Sequence, residues 1–108
     1  MLKKKNRVGR RDIAKIFKIG RFINSENLTL KFILAKENTL PRVSFIVSKK
    51  VAKGAVERNL LRRHGYVALE KFYKTLPQEL EGVFIFNKNQ KIIKNLREEI
   101  KNILNKIK

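Results

Sequence analysis

A chain of 108 residues with 27 Lys and Arg against 9 Asp and Glu carries a formal charge of +18, has no Cys and no Trp, and is 43% hydrophobic. Such a length supports one core, burying roughly two thirds of the unfolded surface, and the apolar content excludes a wholly disordered basic tail. The missing cysteines exclude disulfides, thiolate metal sites and cysteine nucleophiles, while a folded surface this cationic is expected to meet a polyanion, nucleic acid first and an anionic membrane second.

Residues 2–11 form a basic arm around Gly9 on which no structure is imposed. Asp12 stands where an N-cap belongs, Ile13, Ile16 and Phe17 follow at helical spacing, and Gly20 suits a helix end, predicting a short amphipathic helix over about 13–19. Asn24, Ser25, Glu26 and Asn27 read as a turn. Residues 28–35 alternate, with Leu28, Leu30, Phe32 and Leu34 on the better buried face, and residues 42–48 alternate again with Val43, Phe45 and Val47. Two antiparallel strands joined by a hairpin are expected, the loop over 36–41 connecting them.

Residues 49–54 make a basic loop, and residues 55–73 are the longest helix-compatible stretch before the C-terminal quarter, closed by Thr75, Leu76 and Pro77. Residues 82–86 are a compact apolar strand and residues 87–90 turn. Ile92, Ile93, Leu96, Ile100, Ile103 and Leu104 repeat at three and four, predicting an amphipathic helix over about 91–106. The order is helix, two or three strands, helix, strand, helix, with no repeat or composition break to mark a second domain. No basic-then-apolar leader follows Met1, and no apolar run approaches the ~18 residues of a spanning helix. A soluble, cytoplasmic protein is expected.

The second helix carries the functional signal. At ~100° per residue, Arg58, Arg62, Tyr66, Asn59 and Arg63 share one arc, while Leu61, Gly65, Ala68, Leu69 and Phe72 share the arc that packs on a sheet. The first arc is expected to present three guanidiniums, an amide and an aromatic to solvent. Guanidiniums match phosphate oxygens bidentately, and Lys49, Lys50 and Lys53 in the preceding loop reach towards the same polyanion. A solvated basic face is the ordinary alternative, but only Glu57 and Glu70 stand on this stretch to balance it.

These residues resemble a known family. Ser48-Lys49-Lys50-Val51, a short basic loop, then Ala55-Val56, Arg58-Asn59 and Leu61-Arg62-Arg63 are similar to the signature of the bacterial ribonuclease P protein component. The first helix with Phe17 and Gly20, the strand entering Ser48-Lys49-Lys50, the later strand and the last helix follow the family's order across nearly the whole chain. The resemblance implies an α+β fold, one compact RNA-binding domain over residues 1–108, its four-stranded mixed sheet packed with three helices in the order α-β-β-β-α-β-α. It also implies a left-handed βαβ crossover, the rare hand.

The function it implies is that of a small subunit in an endoribonuclease ribonucleoprotein that removes the 5′ leader of precursor tRNA. The RNA subunit, with Mg²⁺, is expected to perform the cleavage. Lys49, Lys50, Lys53, Arg58, Asn59, Arg62, Arg63 and Tyr66 are then expected on the ribonuclease P RNA. Phe17, with Lys18, Arg21 and Lys31, is expected to line a cleft for the leader. Taken alone, Phe17 reads first as an ordinary core aromatic on an amphipathic helix. The chain departs from the family at Leu60, which replaces the second Arg of an Arg-Asn-Arg core, at Ile13 and Lys31, where aromatics are usual, and at Tyr66, which replaces a frequent basic residue.

No hydrolytic site is expected on the protein itself. His64 lacks a carboxylate or Ser partner in any motif, Ser25 and Ser48 lack a base, and Gly54 with Lys53 is no phosphate-binding loop. Glu79, Glu81, Glu98 and Glu99 are expected to be solvated charges rather than metal ligands. No protein-bound cofactor, obligate protein partner or membrane is expected. The alternatives are a ribosomal or general structural RNA-binding protein, and a membrane-surface protein using the last helix, whose Ile-rich face lacks aromatic anchors.

Overall fold

Leu28, Leu30 and Phe32 on one strand and Phe84 and Phe86 on another alternate with residues of the opposite face, and this alternation organises the computed structural model into layers on two sides of one sheet. The structure describes residues 7–36 and 40–107, so the beginning of the basic arm and residues 37–39 of the predicted loop lie outside the described residues. The order is α1 (Arg10–Ile19), β1 (Arg21–Asn24), β2 (Leu28–Leu34), β3 (Arg42–Ile46), α2 (Ala55–Glu70), β4 (Leu80–Phe86) and α3 (Ile93–Asn105), with a 3₁₀ turn at Tyr73–Thr75 before β4. The second predicted helix therefore stops short of Tyr73.

The strands lie in the order β1-β2-β4-β3. β2 pairs antiparallel with β1 and β4, whereas β3 pairs only with β4, in parallel. The hairpin expected between residues 28–35 and 42–48 is therefore wrong. β4 is inserted between them because Val83, Phe84 and Phe86 are buried to both sides, and a strand apolar on both faces is stable only in the middle of a covered sheet.

One face carries Leu28, Leu30, Phe32, Val43, Phe45, Phe84 and Phe86 against Leu61, Ala68 and Leu69 of α2 and Leu96, Ile100 and Ile103 of α3. On the other face, Ile16 of α1 and Val8 pack on Val83, with Ile13, Ile33, Ile46 and Ile85 around them. α1 begins two residues before Asp12, and its N-cap is Gly9. Asp12 lies inside the first turn and pairs with Arg42 at 3.7 Å across the helix–sheet boundary. Gly20 does end α1, but by close approach: a Cβ there would stand 2.4 Å from the Ile16 carbonyl oxygen and 3.0 Å from that of Phe32.

Two carboxylates expected in solvent are structural. Glu99 accepts from Ser25 Oγ at 2.6 Å, from the Asn27 backbone N–H at 2.8 Å and from Asn27 Nδ2 at 2.6 Å, tying the β1–β2 turn to α3. Glu81 is buried within β4.

Candidate nucleic-acid interface

The basic loop before α2 is shaped by its own backbone. The Ser48 carbonyl accepts from the N–H groups of Val51 and Ala52, both at 3.1 Å, and Ala52 is buried, so Lys49, Lys50 and Lys53 are left on the outside. Arg58 donates from Nη1 to the carbonyls of Ala52 at 3.0 Å and Lys53 at 2.6 Å. Its guanidinium thus fastens the loop to the helix, a commitment the helical arc did not reveal. Further along, Arg62 Nη2 donates to Asn59 Oδ1, which fixes two of the expected side chains relative to each other.

Tyr66 is the correction on this face. It is buried rather than presented to solvent: its ring meets Phe45 edge-on at 4.9 Å, and its hydroxyl accepts from the Phe45 N–H at 3.3 Å. The cause is the neighbouring Gly65, where a Cβ would fall 2.6 Å from two carbons of the Phe45 ring. α2 therefore lies so close to β3 that its buried arc widens to include residue 66. Above the ring sits the Arg7 guanidinium, 4.6 Å from the centroid, a favourable cation–π distance. Arg7, Asn59, Arg62, Arg63 and Tyr66 line one open cleft of about 320 Å³. Arg7 was only part of a basic arm in the sequence, and nothing in its spacing signals that its guanidinium meets α2.

The cleft has three guanidiniums and an amide around it, a donor set suited to phosphate oxygens. Glu57, the nearby acid in the first turn of α2, is turned to the other neighbours: it accepts from Asn89 Nδ2 and lies 3.5 Å from Lys91. The Asn89 hydrogen bond, and then the Lys91 charge, hold its carboxyl below the usual carboxylate range. Leu60 and Val56 are exposed beside this face, so residue 60 presents an apolar side chain to solvent next to the guanidiniums.

A second cationic surface lies on the opposite face of the sheet, beside α1. Phe17 is 46% exposed, so it is not a core aromatic. Lys31 Nζ stands 4.9 Å from the centre of its ring, and Lys18 is exposed next to it in the last turn of α1. Ile13 is half-buried against the α1 core and is not part of this surface. Arg21 leaves the expected set: paired with Phe32 across β1 and β2, its guanidinium lies 5.0 Å from the Phe32 ring on the α2–α3 side of the sheet. Strand alternation puts its neighbour, Phe22, on the Lys31 side instead. Beyond Lys31, Thr29 Oγ1 donates to Asn24 Oδ1 at 2.8 Å and accepts from Asn87 Nδ2 at 2.9 Å.

His64 is half-buried on α2. Among the described residues no three His, Asp or Glu side chains gather as a metal-ligating group, and no helix is long and apolar enough to cross a membrane.

The sequence matches the family model described as Ribonuclease P over residues 2–108. It is 32% identical over 111 residues to the ribonuclease P protein component of Pseudanabaena sp. (strain PCC 6903), covering all of this chain and 96% of that protein. The fold is similar to the RNase P protein from Thermotoga maritima, with a TM-score of 0.82 at 25% identity over 94% of this chain and 97% of the other. It is also similar to the Staphylococcus aureus RNase P protein, with a TM-score of 0.78 at 21% identity and 93% of both chains covered.

Proposed function

Because this chain belongs to the ribonuclease P protein family, the protein partner of a ribonucleoprotein nuclease that processes tRNA, we propose that it works there through two separate RNA-binding surfaces. The α2 face and its loop bind the ribonuclease P RNA. The surface beside α1 holds the 5′ leader of precursor tRNA, and the RNA subunit carries out the cleavage. The observation that carries this reading is the placement of exposed Phe17 under Lys31 on the sheet face opposite α2.

The chemistry of the two surfaces differs in a way that suits two RNAs. On α2, Arg62 and Asn59 are hydrogen-bonded to each other and Arg58 anchors the lysine loop, so the cations are held in fixed positions, as a folded RNA with fixed phosphates requires. A leader has no constant sequence. Its holder needs contacts that any nucleotide satisfies, namely a ring face for stacking and a charge for the backbone, and Phe17 with Lys31 supplies one of each.

Mg²⁺ in this reading belongs to the RNA. Among the described carboxylates, Glu99 and Glu57 are engaged with Asn27 and Asn89. No step is therefore assigned to an ion on the protein, and the family match leaves the ribosomal alternative without support.

Reconstitution tests the proposal. Mixed with a ribonuclease P RNA, the protein is expected to lower the Mg²⁺ needed for leader removal and to tighten binding of precursor over mature tRNA. A folded protein that does neither defeats it.

A further inference from the structure

Phe22 is 62% exposed on β1, an edge strand of four residues. A large aromatic exposed on a sheet edge is an aggregation liability that proteins ordinarily avoid. The register places Phe22 directly opposite Lys31, where cross-strand side chains on one face are about 5 Å apart at Cβ. Lys31 is the residue whose ammonium lies over Phe17. One cation therefore stands between two exposed rings, Phe17 on the helix side and Phe22 on the edge side.

The surroundings match a polyanion. Across the sheet on this face, the row containing Phe22 continues through Lys31, Val83 and Ser44, and the next row reads Asn24, Thr29, Ile85 and Ile46. Neither row carries an acidic residue, and the row on the other side of Lys31, which reads Ile33, Glu81 and Arg42, sets its buried carboxylate directly opposite a guanidinium-bearing residue. Val83 and Ser44 are covered by α1 and by Val8, whose backbone N–H donates to Ser44 Oγ at 2.8 Å, so the open part of the first row is its edge end, Phe22 and Lys31. Glu26 in the adjoining turn is drawn off by Lys88 at 3.8 Å. A single RNA strand alternates flat bases with charged phosphates, and ring, ammonium, ring repeats that alternation.

We propose that Phe22 is a second stacking residue for the single-stranded leader, carrying the binding path past Lys31 to the edge of the sheet. This rests on the leader reading of the Phe17 surface and adds a contact to it. The path is thereby longer than the helix-side residues alone provide, and its added length should show only with leaders long enough to reach β1.

The chain has no Trp, so a single Phe22→Trp substitution makes emission a reporter of that position, with Phe17→Trp as its counterpart. Each full-length variant is reconstituted with ribonuclease P RNA and titrated with precursor tRNA carrying a long leader, with a precursor trimmed to a short leader, and with mature tRNA. The expected result is a change in emission of Phe22→Trp with the long leader alone. In parallel, Phe22→Ala and Phe22→Leu are expected to weaken long-leader precursor binding about five- to a hundred-fold, the range of one stacked base, with mature tRNA unaffected and Phe22→Tyr close to wild type. If Phe17→Trp responds to the leader and Phe22→Trp does not, the leader reading stands and this inference is overturned. If neither responds, the leader reading itself fails and takes the inference with it. Emission that changes with protein concentration and not with leader marks Phe22 as a contact between protein molecules, which also overturns it.

Discussion

Arg58 holds the carbonyl oxygen of Lys53 at 2.6 Å and, with the same nitrogen, that of Ala52 at 3.0 Å. A residue that looks like one more cation on a basic face is thus also the clasp between the lysine loop and the helix behind it. A lysine side chain is one atom shorter and lacks the guanidinium plane that fixes the directions of the two N–H donors on Nη1. Arg58→Lys is therefore expected to weaken RNA-subunit binding although the charge is kept, and to speed amide exchange over residues 50–53. Arg62→Ala, by contrast, is expected to leave that exchange unchanged while lowering the salt slope of binding by about one unit, as loss of one phosphate contact predicts.

Gly65 sets how close α2 comes to β3. A methyl group there meets the Phe45 ring at 2.6 Å, and Phe45 is locked between Tyr66 and the stacked Phe84 ring at 5.1 Å. Gly65→Ala is expected to destabilise the fold by about 1–3 kcal/mol, the usual cost of overpacking, despite the better helix propensity of Ala. Chemical denaturation measures it, and a stabilised variant contradicts the packing described.

Glu99 receives three hydrogen bonds from the β1–β2 turn. Hydrogen bonds to charged groups contribute more than neutral ones, so Glu99→Ala is expected to lower stability by about 2 kcal/mol, with RNA-subunit affinity preserved once the protein is folded. Denaturation midpoints and binding isotherms on the same variant separate the two effects.

Glu57 gives a pH signature. Its carboxyl is lowered by Asn89 first and Lys91 second, so the folded state favours the ionised form. The stabilisation is present above the ordinary glutamate pKa and is lost as the pH falls through the lowered folded value. An NMR titration of the Glu57 carboxyl is expected to give a midpoint below that of an unperturbed glutamate, and Asn89→Ala is expected to bring it back up.

Much of this was readable in the chain. The alternation of Leu28, Leu30 and Phe32 and the helical spacing of Ile93, Leu96, Ile100, Ile103 and Leu104 rest on local periodicity and stand where expected, whereas Ile92 is an exposed cap outside the helix. What the chain hid was non-local. β3 and β4 pair in parallel across a helix, so the nearest-neighbour hairpin was the wrong default, although the two-sided burial of β4 was already visible in its unbroken apolar run. Tyr66 was misplaced because a helical wheel does not know how closely Gly65 lets the helix approach Phe45. Arg21 was grouped with Phe17 through the family resemblance, whereas its pairing with Phe32 sets its guanidinium on the other face of the sheet. Arg7 meets the α2 cleft through a contact with Tyr66 far along the chain, which no local pattern encodes.

The central claim is that two RNAs meet two faces of one small sheet, Arg62 serving one and Phe17 the other. The most direct measurement is a paired comparison of Arg62→Ala and Phe17→Ala in the reconstituted ribonucleoprotein, reading affinity for the ribonuclease P RNA and the ratio of precursor to mature tRNA binding. Arg62→Ala is expected to weaken RNA-subunit binding with the ratio intact once assembled. Phe17→Ala is expected to leave assembly intact and reduce the ratio about five-fold or more, the effect of one lost stacking contact. Equal losses in both quantities for both variants would contradict the division of the surface.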